Sequence, residues 1–218
     1  MDYKITTGCL ECGTDEQKGP FMMMLGENAL HKFDLYFHWY NIVHEYGHCL
    51  LDFHKHDSCG VQQEMLVNQF AVSYWKARGF QDRLAELRAM LEAALANFPC
   101  PVPAGEDFIG WYQKIWNTEL LMSVPVYGYL QFKSVLIALD EMPDLSDWLE
   151  KAGIKGFTQP KNGAFQQPGT PDPYPVEAAS APKVLADLMA FLEAAHVAHP
   201  EVCVELVDDP SQHFCRPV

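Results

Sequence analysis

An α+β fold, mainly helical and with a small N-terminal sheet, is what this sequence predicts, and three observations carry the expectation. From about residue 30 to residue 53 the only Pro or Gly is Gly47, while Phe33, Tyr36, Trp39, Tyr40, Val43 and Leu50 recur at helical spacing. A short polar loop at 55–60 then leads into a second helical stretch at about 61–77, closed by Gly79, so the two helices are expected to lie antiparallel. Ahead of them, residues 3–8 and 20–25 read as short extended segments separated by the turn-rich stretch 9–14.

The remaining elements rest on the same signals. A third helix is expected at about 82–97, with Asp82 as its N-cap and Pro99, Pro101 and Pro103 beyond its end. Helices at about 106–117 and 129–141 come next, with 123–128 as the break between them. Residues 156–180 are rich in Gly, Pro and Gln and read as a linker or lid. An amphipathic helix at about 182–197 and an apolar run at 202–207, able to add a strand, complete the chain. The organisation expected is a domain over 1–155, the linker or lid over 156–180, and a C-terminal helix and strand over 181–218 packed on that same domain. No internal repeat is present.

The chain has 218 residues, enough for one domain with a sizeable core. Its formal charge of −14, from 15 basic and 29 acidic residues, argues against attraction to nucleic acid or to anionic membranes. No apolar run approaches the roughly 18 residues that a membrane span needs, and residues 1–7 lack the pattern of a signal peptide. A soluble, cytoplasmic protein is the expectation. Seven irregularly spaced cysteines then fit reduced thiols better than a disulfide framework.

The chemistry concentrates in His44-Glu45-Tyr46-Gly47-His48. Residues four apart share a helix face, so His44 and His48 can offer two imidazole nitrogens to one ion. Glu45 comes directly after the first histidine, where zinc peptidases keep a carboxylate that takes a proton from water at the metal. The bland alternative is two polar positions in an ordinary helix. Against it, two histidines and a glutamate in an otherwise apolar helix are costly to bury without a partner.

A catalytic zinc site needs a third protein ligand, and three candidates compete. Asp52 lies about 12 Å along the helix from His44 and is too far to share the ion. His54 has metzincin spacing, but Leu51 stands where that pattern needs a glycine to break the helix. Glu64 is the best placed, because the antiparallel second helix returns its first turns alongside the first. Asn68 would stand one turn beyond it as a hydrogen-bond partner, and Ala71 is small enough for close approach. Glu64 as a solvated carboxylate in a first helical turn is the competing reading.

The segment 44–51, with Glu64-Met65-Leu66-Val67-Asn68-Gln69-Phe70-Ala71 after it, resembles the ImmA/IrrE-type metallopeptidases, whose pattern is HExGHxxL and then a glutamate shortly ahead of an A-N-x-F-A segment. Val67 replaces the alanine, and the resemblance covers about residues 38–78. It implies a zincin-like metallopeptidase core and a gluzincin-like site with His44, His48 and Glu64 as metal ligands, Zn as cofactor and Glu45 as catalytic base. The activity implied is hydrolysis of a peptide or protein substrate. The alternatives are a non-catalytic zinc-binding regulatory module that keeps the fold, with 160–176 over the cleft, and a helix pair serving assembly alone. Oligomeric state and cleavage preference are not encoded in any motif.

Other residues carry weaker signals. Tyr127 or Tyr129, in the expected bend, can offer a phenol to a developing oxyanion, although aromatic residues in bends more often pack. Cys9 and Cys12 form half of a zinc ribbon that Cys203 or Cys215 would have to complete. His31 and His38 lack the four-residue relation to His44 and read as packing or surface histidines.

Overall fold

The computed structural model describes residues 2–97, 99–160 and 174–218. The chain is mainly helical with a three-stranded sheet. Strand β1 (Tyr3–Gly8) precedes α1 (Asp15–Leu25) and α2 (Ala29–Asp34). A π-helical segment, Leu35–Tyr40, runs directly into α3 (Asn41–Phe53), and α4 (Gly60–Ala77) returns beside it. Then come α5 (Gln81–Ala96), α6 (Phe108–Ile115), α7 (Val124–Glu141), α8 (Leu145–Lys151) and α9 (Ala181–Ala194). Strands β2 (Val202–Val207) and β3 (His213–Pro217) end the chain's order of elements.

The sheet has the order β2-β1-β3. β2 runs parallel to β1, with Tyr3 opposite Val202; β3 runs antiparallel, with Ile5 opposite Cys215. The sheet expected at the N-terminus is therefore built from both ends of the sequence. Its inner face meets α3: Ile5 is fully buried, and the Tyr3 hydroxyl donates to Asp52 Oδ2 at 2.6 Å.

Two local readings are corrected, an extended segment at 20–25 and a break at 123–128. Residues 20–25 belong to α1, because Thr14 and Gln17 close a capping box ahead of the helix and Asp15 and Glu16 occupy its positively polarised first turn. Pro20 lies inside that helix and removes one donor without ending it. Residues 124–128 begin α7; Pro125 stands in its first turn, where an N–H has no helical partner in any case.

The core is aromatic. Trp39 stacks on Trp75 with ring centroids 4.2 Å apart, and the Trp148 indole of α8 donates to the Leu66 carbonyl at 2.8 Å. Helices α3 and α4 cross at Gly47, where a Cβ would lie 3.1 Å from both Phe70 and Val67. Glycine there is a condition of the close approach.

The cysteines depart from the reduced-thiol expectation. Cys9 is bonded to Cys12 and Cys49 to Cys215, which also removes Cys215 from any zinc ribbon with Cys9 and Cys12. Among the described residues no helix is long and apolar enough to cross a membrane. The expected linker or lid at 156–180 falls largely on 161–173, which lie outside the described residues.

Candidate metal centre

The π-helical segment sets the phase of α3. Its extra residue per turn is marked by the Asn41 N–H donating to the Tyr36 carbonyl, five residues back. Tyr36 and Asn41 thereby face the same cavity as His44, Glu45 and His48 one and two turns later. That cavity has a volume of about 890 Å³, in the range of about 300–1,000 Å³ usual for ligand pockets.

At its floor, α3 and α4 bring His44, His48 and Glu64 together. The two Nε2 atoms are 3.3 Å apart, and each lies 3.5 Å from a Glu64 carboxylate oxygen. A tetrahedron with bonds of about 2.0–2.1 Å has edges of about 3.3–3.4 Å, which the two imidazoles match, and the carboxylate meets them with a different oxygen each, Oε2 towards His44 and Oε1 towards His48. Neither Asp52 nor His54 joins the cluster: Asp52 lines the same cavity but accepts from Tyr3, and His54 Nε2 donates to the Ala198 carbonyl at 2.8 Å.

The hydrogen bonds behind the cluster fix which imidazole atoms face it. Asn68 Nδ2 donates to the Glu64 carbonyl at 2.9 Å, so its Oδ1 turns the other way and accepts from His44 Nδ1 at 2.9 Å and from the Tyr40 hydroxyl at 3.0 Å. Gln63 Nε2 donates to the Ser58 carbonyl, leaving Oε1 to accept from His48 Nδ1 at 3.1 Å. Both Nδ1 atoms are donors, so both Nε2 atoms point lone pairs into the cluster beside a carboxylate. Three mutually repelling acceptors converge there, an arrangement that positive charge stabilises.

The titration behaviour agrees. Burial alone would raise the Glu64 carboxyl, yet His44 and His48 beside it hold it down at about 2. Burial opposes charging His44, but Glu64 and Glu45 raise its pKa on balance. The donor set of two imidazoles and one carboxylate fits Zn²⁺.

Glu45 lines the same cavity without joining the cluster, and its Oε1 accepts from Asn41 Nδ2 at 3.2 Å. Glu64 Oε2 also accepts from Gln131 Nε2 of α7 at 3.4 Å. Of the two tyrosines, Tyr127 lines the cavity, whereas Tyr129 donates its hydroxyl to Cys100 Sγ. Burial, then Glu64 and Glu45, push the Tyr127 phenol well up, so it keeps its proton and remains a donor. Tyr36, buried on the same wall, is pushed up by burial and by the same carboxylates among its neighbours.

Sequence reading missed Asn41, Gln63, Gln131 and the whole of β3. Gln63 carried a weak signal as an amide next to Glu64 on the approaching turn. Gln131 and β3 carried none, because their relation to the site is made by the fold. His38 is no part of the centre: its Nδ1 is hydrogen-bonded to Asp34 Oδ1 at 2.8 Å and its Nε2 to the Gly8 carbonyl at 2.9 Å, tying α2 and the π-helical segment to β1. No protein-family model, curated protein or solved structure matches this chain.

Proposed function

We propose that the protein is a zinc-dependent metallopeptidase with a zincin-like core. The observation that carries the reading is the convergence of two imidazole lone pairs and a carboxylate at ligand separations, with a second carboxylate beside them on the wall of an open cavity. His44, His48 and Glu64 would hold the ion. A zinc ion there supplies Lewis acidity, lowering the pKa of water at the site and polarising a substrate carbonyl.

The chain's own residues do the rest. Asn68 and Gln63 keep both imidazoles in the tautomer that presents Nε2. Asn41 steers Glu45, which accepts a proton from the attacking water and returns it to the departing amine. Tyr127 is placed to donate a hydrogen bond to oxygen that gains charge during attack. The resemblance of 44–51 and 64–71 to the ImmA/IrrE-type pattern supports the same assignment.

The test measures metal and hydrolysis together. Protein purified without added zinc is expected to carry about one equivalent, and Glu45→Gln is expected to keep it while hydrolysis of a peptide library falls by a factor of about 100 to 10,000. An equally fast variant removes Glu45 as the base. One bound zinc with an inert wild type makes the protein a regulatory zinc module, and no bound zinc removes the metal reading.

A further inference from the structure

The Cys49–Cys215 disulfide joins the metal helix to a wall of the cleft, across 166 residues of sequence. Cys49 stands next to His48 and is 1% exposed, whereas Cys215 is partly exposed, and both line the cavity. Most of that wall is β3 and its approach: Ser211, His213, Phe214, Arg216 and Pro217 face the same space.

β3 is held unevenly. It pairs with β1 on one edge only, and among the described residues no strand covers the other. Its first half is anchored by His213, whose Nδ1 accepts from Thr7 Oγ1 at 2.9 Å and whose Nε2 donates to the Pro210 carbonyl at 2.8 Å. The His213 ring also stacks on Phe37 at 3.8 Å. The second half stays on the ladder, with Arg216 opposite Lys4, Pro217 opposite Tyr3 and the Val218 N–H donating to the Asp2 carbonyl at 3.2 Å, and its covalent tie to α3 is the bond at Cys215.

We propose that Cys49–Cys215 is a reversible redox latch: oxidised, it holds the second half of β3 against α3 and keeps the cleft narrow; reduced, it releases that half and widens the cleft. The co-reactant is a dithiol reductant. One of its thiolates attacks Cys215 Sγ from the cleft, and the S–S bond breaks with Cys49 leaving as a thiolate that takes up a proton. The second thiol of the reductant then displaces Cys215, so two electrons pass to the protein and the dithiol ends as a disulfide. Reduced thiols and the disulfide-bonded structure are then two states of one protein. As a regulation of catalysis the latch rests on the metallopeptidase reading, but its structural half does not.

The test uses the full chain loaded with zinc, oxidised or treated with dithiothreitol, and reads amide hydrogen exchange beside peptide hydrolysis. On reduction, exchange of 213–218 is expected to rise by about tenfold or more while 41–53 is unchanged, and reoxidation reverses it. KM for a peptide substrate rises with kcat largely kept. The double variant Cys49→Ser with Cys215→Ser should show the reduced exchange pattern and no response to dithiothreitol. Cys9→Ser with Cys12→Ser should respond as wild type.

Unchanged exchange on reduction overturns the latch and leaves a passive staple. Global loss of helical circular dichroism on reduction overturns it too, because the bond is then needed for folding. A response abolished by the Cys9 and Cys12 variant moves it to the other disulfide and likewise refutes the assignment. If exchange responds but neither form hydrolyses any peptide, the latch stands and the peptidase reading falls.

Discussion

At the scale of single residues, the centre is governed by which atom of each side chain is left facing the cavity. Asn68 accepts from His44 and Tyr40 and donates to the backbone of Glu64, so one buried amide orients the His44 ring and braces the turn that carries Glu64. Asn68→Ala is expected to weaken zinc by about 10- to 100-fold without changing the stoichiometry at saturating metal, measured by competition with a chromophoric chelator. An unchanged affinity would mean that packing alone orients His44. Tyr127→Phe tests the other wall: a phenol that donates only to developing charge should cost kcat and leave both KM and zinc affinity near wild type. A loss confined to KM would make Tyr127 a packing surface for substrate.

At the scale of elements, the decisive contact is the crossing of α3 and α4, and Gly47 controls it. A Cβ there falls 3.1 Å from Phe70 and Val67, both fully buried. Gly47→Val is therefore expected to cost about 1–3 kcal/mol in urea unfolding and to loosen the His44–Glu64 approach, with Gly47→Ala milder. This part of the fold was legible because its signals are local: helical periodicity, a short loop and four-residue spacing; the sequence reading placed the small residue of the approach at Ala71, and the crossing at Gly47 emerges only from the packing. Three other elements show where local signals fail. Gly19 and Pro20 look like breakers, yet the Thr14–Gln17 capping box starts a helix that runs through them. Pro125 looks like a break, yet it costs little in the first turn of α7. The five residues of β3 lack apolar alternation, and their strand exists only because β1 offers an edge to them. The Cys49–Cys215 pairing is of the same kind, decided by a sheet that no window of sequence contains.

At the scale of the whole molecule, the sheet responds to acid through His213. Burial pushes its pKa down to about 3, far below the ordinary value of about 6.5. The unfolded chain therefore binds a proton that the folded chain refuses, and stability is complete above about pH 6.5 and lost as pH falls towards 3. Denaturant midpoints between pH 7 and pH 4 should fall more steeply for wild type than for His213→Gln; parallel curves would place the acid sensitivity elsewhere.

The strand order β2-β1-β3 also governs when the cleft comes into being. Residues 3–8 find both of their partners at 202–217, so β1 waits through the synthesis of nearly two hundred residues before its edges are satisfied. Helices form from near neighbours and settle early, whereas contacts so distant along the chain close late. His44, His48 and Glu64 lie on an early-forming helix pair, but the wall that β3 raises against them comes with the last strands. A nascent chain can thus bring these three side chains together well before it owns a bounded cleft, and the order of translation itself delays the moment at which the cavity is fully walled.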